Sequence, residues 1–260
     1  SISNASSAAL YVKQADKVFV TLAPATENTL STTGEFAAID DNNIDSVIFS
    51  KDDLTLNGAG SLSISCDYGH GIVSKDDLVI TGGTYDMDVS GHGLSGKDSV
   101  RILDGTFTIT AGEDAIHGDN DEDDTLGYVY VAGGTFEINA GDDGMHASFA
   151  MVIDGGNINI AESYEGIEGK SIDINGGSIS LKSSDDGLNA AGGNDGSGMA
   201  GDWFSASGDN YIRITGGTLY VNASGDGIDS NGSLYVSGGE TYVSGPSNSG
   251  NGSLDYNGEA

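Results

Sequence analysis

The sequence predicts an all-β solenoid, a parallel β-helix of about 22 residues per turn. Three observations lead there. Short apolar runs recur, each followed by a Gly-Gly pair or a close equivalent. Within each copy apolar and polar residues alternate with period two, the signature of a strand. No stretch carries helical periodicity, which also removes leucine-rich repeats, the rival of similar period.

Aligned on the first residue of that pair, the anchors are Gly82, Asp104, Gly133, Gly155, Gly176, Gly216 and Gly238, spaced 22, 29, 22, 21, 40 and 22 residues apart. The two long intervals mark insertions. One turn shows the plan: Leu78 and Ile80 form a short strand, Tyr85, Met87 and Val89 a second, and Leu94 lies in a third. Three strands per turn let parallel strands stack without helical crossovers, because the chain returns by circling its own axis. Stacked turns then predict interior columns. Tyr85, Phe107, Phe136, Ile158, Ile179 and Leu219 make one; Met87, Ile109, Ile138, Ile160, Leu181 and Val221 make another. All twelve are apolar or aromatic, as a shared core requires.

The expected organisation is an N-terminal cap and first irregular turn over 1–45, the coil over 46–245, and a tail or cap over 246–260. The insertions fall near 118–125 and 189–210. "KVFVTLA" reads as a strand inside the cap, which would cover core and strand edges at the end of the solenoid.

The chain has 260 residues and 37% hydrophobic content, enough for a core despite a formal net charge of -31. That charge disfavours nucleic acid and anionic membrane. No apolar run is long enough to cross a bilayer, and Cys66 alone makes no internal disulfide. No secretory signal is visible at "SISNASSAAL".

The acids gather on one wall. The position before the Gly or Ala of each third segment holds His70, His92, Asp114, Asp143, Glu165, Asp186 and Asp226. Three residues later come Val73, Ser95, His117, His146, Glu168, Asn189 and Asp229, and the first set is preceded in places by Glu113, Asp142 and Asp185. Strands about 4.8 Å apart would turn these into a ladder. Neighbouring unit charges at that spacing repel by roughly 1 kcal/mol in water and roughly 3–4 kcal/mol at an effective dielectric near 20. Near neutrality a hard divalent cation is the expected remedy, and calcium accepts six to eight oxygens in irregular geometry. Several Ca2+ ions are therefore expected. Solvated acids and a zinc site on His117 and His146 are the alternatives; no tight tetrahedral set supports zinc.

The shorter insertion, "GDNDEDDT" (118–125), adds Asp119, Asp121, Asp123 and Asp124 beside the ladder. It lacks the spacing and flanking helices of an EF-hand. The longer one carries Asp195, Asp202 and Asp209 with Trp203 and Phe204. Trp203, Phe204 and the outward Tyr130, Tyr220 and Tyr235 are candidates for stacking on sugar rings, with His117 and His146 as polar contacts. Each aromatic is equally well read as packing or as an isolated surface residue.

At "SDDGLNA", "GDDGMHA" and "SGDGIDS", with the repeated "SKDDL" of 50–54 and 74–78, the chain resembles the bacterial cell-surface carbohydrate-binding β-helix proteins that bind cellulose and acidic sugars such as polygalacturonate. The resemblance spans roughly residues 45–245. It implies a right-handed, pectate-lyase-like coil related to polysaccharide lyases of families one, three and nine. It implies calcium at Asp142, Asp143, Asp185, Asp186 and Asp226, and plant cell-wall polysaccharide as the partner. It further implies an extracellular or cell-surface bacterial protein whose signal segment precedes the sequence given.

Three functions compete: a calcium-dependent binder, a pectate lyase acting by β-elimination, and a passive surface stalk. A lyase needs a base near the metal, and Lys170 in "EGIEGK" is the best candidate, since Arg101 and Arg213 lie on a different, outward column further from the stripe. Lys51, Lys75 and Lys97 hold the same post-stripe position, so Lys170 reads as a repeat feature, and surrounding carboxylates would raise its pKa rather than lower it. The expectation is binding without turnover.

Overall fold

A computed structural model describes residues 1–190 and 209–259. Its strands stack in parallel into one 10-stranded and one 17-stranded sheet, and no helix occurs among the described residues. The 10-stranded sheet is the first column of the coil, running through Ser61–Cys66, Thr84–Val89, Thr106–Ala111 and Thr135–Ala140 to Glu240–Ser244. The larger sheet merges two further columns. Met145–Ile153 and Ile167–Ile174 are long enough to belong to both and join them.

Register confirms the stacking. Tyr85 pairs with Phe107, Phe107 with Phe136, Phe136 with Ile158, Ile158 with Ile179 and Ile179 with Leu219. The rings of Tyr85, Phe107 and Phe136 lie nearly parallel, with centroids 5.1 and 4.7 Å apart. Both predicted columns are buried throughout. At about 1.5–3 kcal/mol per fully buried large side chain, this continuous stack is the main favourable term holding the turns together.

Each turn leaves its short apolar strand through the Gly-Gly pair, and the second glycine is the demanding one. Gly83, Gly105, Gly134, Gly156, Gly177, Gly217 and Gly239 all have positive φ, from 80 to 145°. Residues with a Cβ are strained there. This explains why Asp104 can replace the first glycine of its pair, whereas Gly105 stands at the second.

Within residues 1–45, expected to hold a cap and an irregular turn, four strands continue the same columns. Ile2–Asn4 pairs with Glu27–Thr32, which pairs with Ser61–Cys66; Leu10–Val12 pairs with Ser46–Ser50, and Lys17–Leu22 with Asp53–Gly58. At the other end Asp255–Tyr256 pairs with Asp229–Ser230, a last short turn inside the expected tail.

Candidate functional site

The wall lies where the chain passes from the first column to the next. There the register aligns Val73, Ser95, His117, His146, Glu168, Asn189 and Asp229 in one row, as the spacing predicts. The preceding row, His70 to Asp226, carries a task that sequence reasoning missed. All of its side chains but that of Glu165 accept the backbone N–H of the residue stacked one turn on. His92 N–H donates to His70 Nδ1 at 2.8 Å, Asp114 N–H to His92 Nδ1 at 3.2 Å, and Asp143 N–H to Asp114 Oδ1 at 2.8 Å. Glu165 N–H donates to Asp143 Oδ1 at 3.3 Å, Asp226 N–H to Asp186 Oδ1 at 2.5 Å, and Gly252 N–H to Asp226 Oδ1. An imidazole nitrogen and a carboxylate oxygen serve equally, because the turn requires only an acceptor.

One oxygen of each aspartate is thereby committed to the backbone, and the second remains for the wall. Asp114 Oδ2 lies 2.6 Å from His117 Nδ1; Asp143 Oδ2 lies 3.2 Å and Glu168 Oε2 2.7 Å from His146 Nδ1. Three all-carboxylate or mixed groups bring one donor atom per residue within 4.8 Å of one another: Asp114, Asp142 and Asp143; Asp143, His146 and Glu168; Asp186, Asp226 and Asp229. Two histidine-rich groups, His70, His92 and Glu113, and His92, Asp114 and His117, lie toward the N-terminal end.

The acids are also far more buried than a solvated wall would be. Asp114, Asp143, Glu165 and Glu168 are 4%, 5%, 6% and 3% exposed. Burial drives Glu165 up to about 10, aided by the charges of Glu168 and Asp143. Burial likewise lifts Asp143 and Asp186 to about 8 and Asp229 to about 7, with the surrounding carboxylates adding to each. For His146 burial acts downward, but its bonds to Asp143 and Glu168 outweigh it and hold the ring protonated up to about 11. Protein atoms alone therefore leave several of these carboxyls protonated at neutral pH.

Donors fit a hard cation well. Asn189 Nδ2 donates to both oxygens of Glu165 at 2.9 Å, and Asn189 Oδ1 is left buried without a partner. At Gly225 an added Cβ would run into the carboxylates of both Asp185 and Asp186, so only glycine lets the next turn approach them. An orphaned amide oxygen among carboxylates matches the oxygen-rich donor set of calcium better than the nitrogen and sulfur set of structural zinc.

The remaining sequence candidates lie elsewhere. Asp119 is half-buried, while Asp121, Asp123 and Asp124 are exposed. Asp123 Oδ1 accepts from the Thr125 backbone at 3.0 Å and its hydroxyl at 2.7 Å, shaping its own loop. Asn120, which sequence reasoning passed over, ties that loop down: it donates to Asp98 Oδ1 at 2.8 Å and accepts from the backbones of Glu122 and Asp123. Tyr130 sits in the other column and donates to Asp154 Oδ2 at 2.8 Å. Lys170 lies with its ammonium 5.8 Å from the Phe149 ring centre. Tyr220 stacks on Tyr242 with centroids 4.8 Å apart, both about half exposed. Asp195, Asp202, Trp203 and Phe204 lie outside the described residues.

The four histidines form one continuous stack. Ring centroids are 4.8 Å apart for His70 and His92, 3.9 Å for His92 and His117, and 5.1 Å for His117 and His146. Sequence alignment places the first two and the last two in rows three residues apart, so the stack crosses between rows.

Against known proteins, a family model described as "Carbohydrate-binding domain-containing protein" matches residues 1–210. The chain belongs to that family. A curated member of the same description from Acetivibrio thermocellus is 39% identical over 84 residues; the match covers 32% of this chain and 29% of that protein. A solved structure described as the polysaccharide lyase-like protein from C. thermocellum, in a gadolinium derivative, superposes with a TM-score of 0.58 at 32% identity. That match covers 72% of this chain and 70% of the other. Family membership and the all-β parallel-strand architecture thus agree with the resemblance read from the repeat.

Proposed function

We propose that the chain is a calcium-dependent, non-catalytic polysaccharide-binding module for acidic sugars such as polygalacturonate, with cellulose a second partner, working outside a bacterial cell. The observation that carries the metal is Asn189 Oδ1, buried and unpartnered beside Glu165 and in line with Glu168 and Asp229. Asp114, Asp142 and Asp143 would hold one ion, and Asp186, Asp226 and Asp229 another. Bound calcium supplies neutralising charge and a bridge to sugar carboxylates. The chain's own residues do the rest: the backbone N–H bonds to Asp114, Asp143, Asp186 and Asp226 fix each carboxylate, and the rigid stack holds them in line. The gadolinium derivative of the relative is consistent, since gadolinium is also a hard, oxygen-seeking cation. The reading includes a right-handed coil of about 22 residues per turn; paired positions 21 or 22 residues apart in four of the nine pairings of the 10-stranded sheet support the length.

A lyase reading draws on the name of the structural relative. It would need Lys170 to act as base, and that residue repeats the position of Lys51, Lys75 and Lys97. The experiment is retention on polygalacturonate and on cellulose, with and without a chelator, while following ultraviolet absorbance for unsaturated products. Calcium-dependent retention without product is expected. Product that vanishes in Lys170→Ala makes the protein a lyase, and no retention at all makes it a passive stalk.

A further inference from the structure

Calcium coordination gives the histidines no role, yet all four of them stand in one stack on the wall. Accepting the next backbone N–H accounts for His70 and His92. His117 stands in the other row, where Val73 and Ser95 serve the preceding turns. Its row neighbour is His146, but the His92 ring lies closer, at 3.9 Å against 5.1 Å. Both His92 and His117 bring Nδ1 to one oxygen: Asp114 Oδ2 lies 2.6 Å from His117 Nδ1 and 3.4 Å from His92 Nδ1. A carboxylate behind an imidazole fixes the proton on the near nitrogen and leaves a lone pair on the far one, the usual support of a metal-bound histidine. His117 meets that condition as it stands. His92 meets it by moving its one proton from Nε2 to Nδ1. The move forfeits the bond from Asp114 N–H, the longer of the two imidazole bonds at 3.2 Å against 2.8 Å for His70. Glu113 Oε2, on a half-exposed side chain, lies 3.3 Å from His92 Nε2. His92 and His117 also line a cleft of about 330 Å3 with Asp119 and Asp121, which gives an ion a way in. The two ammoniums of that cleft are engaged elsewhere: Lys75 lies over the Phe49 ring at 5.5 Å, and Lys97 pairs with Glu122 at 2.6 Å.

We propose that His92 Nε2, His117 Nε2 and Glu113 hold a divalent transition metal of the zinc class, beside the calcium sites and sharing Asp114 with the first of them. Imidazole nitrogen suits zinc, nickel and copper, whereas calcium takes oxygen. Asp114 Oδ2 is the carboxylate behind both rings, and Asp119 with water remains to complete the shell. The ion ties two successive turns together where the acidic half of the wall gives way to the histidines. His70 keeps its backbone bond and is not a ligand. None of this depends on whether the chain binds a polysaccharide.

The test is calorimetric titration of Zn2+ into the untagged full chain in excess calcium. Wild type should take up one zinc that further calcium does not displace. His92→Asn keeps an oxygen for the Asp114 N–H and removes the metal-binding nitrogen, so it should weaken zinc at least about tenfold with the coil intact by circular dichroism. His117→Asn should do the same, and His70→Asn should leave zinc affinity within about twofold of wild type. Copper bound in place of zinc should show splitting from two ring nitrogens in its electron spin resonance spectrum, and from one in His92→Asn. Zinc held equally by His92→Asn overturns the site, as does a loss that follows His146→Asn instead. Zinc uptake that falls in step with added calcium marks a hard site filled by the wrong ion and overturns it too.

Discussion

Stripping metal from the wall should make the fold sensitive to alkali, and Glu165 sets the scale. It is 6% exposed, and burial with the nearby Glu168 and Asp143 charges raises it from 4.5 to about 10. A carboxyl raised in the folded state gives stability that is whole below its unfolded pKa and is lost as pH climbs toward the folded value. Between pH 6.5 and 8.5 the unfolded chain has released this proton and the metal-free fold still holds it, which costs about 1.4 kcal/mol per pH unit, or about 3 kcal/mol over the window. Asp186 and His146, raised to about 8 and about 11, act in the same direction. His92 acts oppositely: burial lowers it to about 3, so its contribution grows only up to its unfolded value of 6.5 and is flat above it. The window therefore isolates the raised groups. At roughly 2–4 °C per kcal/mol for a chain of this size, Glu165 alone predicts a Tm fall of about 6–12 °C. Calorimetric melts in chelator should show it, and excess calcium should abolish it, because a coordinated carboxylate is ionised at both pH values. A flat Tm in chelator, or a fall that calcium leaves intact, would refute the coupling of these acids to metal.

Asn189→Leu should weaken calcium binding by about tenfold or more in calorimetry while sparing the coil, because it removes the unpartnered buried Oδ1. Gly225→Ala should do likewise by pushing the turn away from Asp185 and Asp186; unchanged affinity would clear that cradle of a metal role. Phe107→Ala should cost about 3–5 kcal/mol, read from denaturant melts, since it opens a gap between the stacked Tyr85 and Phe136 rings. Gly134→Ala, at φ +110°, should cost about 1–3 kcal/mol, whereas Gly133→Ala should cost less, since it adds a tight 3.2 Å contact to the Leu103 carbonyl without the backbone strain.

The coil was legible because its core repeats a stringent demand. A position facing the axis in every turn must be apolar, so Tyr85 to Leu219 read as a column without any structure. The same demand relaxes near the N-terminus. In "ENTLST" Asn28 pairs with Leu62, and Leu30 is the one apolar residue of its strand, so that strand left no periodic trace. The insertions showed as broken spacing, but what pins the first of them, Asn120 to Asp98, joins residues whose contact depends on the turn above.

The wall was legible as a row of acids, and its repulsion pointed to metal; what the sequence hid was the prior obligation of every side chain in the row but Glu165. The turn needs an acceptor for the next backbone N–H, and histidine meets that need without charge. Where His70 and His92 stand, the row remains structurally intact yet ceases to be a cage for a hard cation. Where Asp114, Asp143, Asp186 and Asp226 stand, the same bond leaves a second oxygen over. Substituting His92→Asp should thus preserve the coil and extend the acidic wall by one turn, adding calcium uptake measurable by titration. If His92→Asp instead unfolds the neighbouring turns in calcium, the acceptor is not interchangeable and the division of the wall into two chemistries fails.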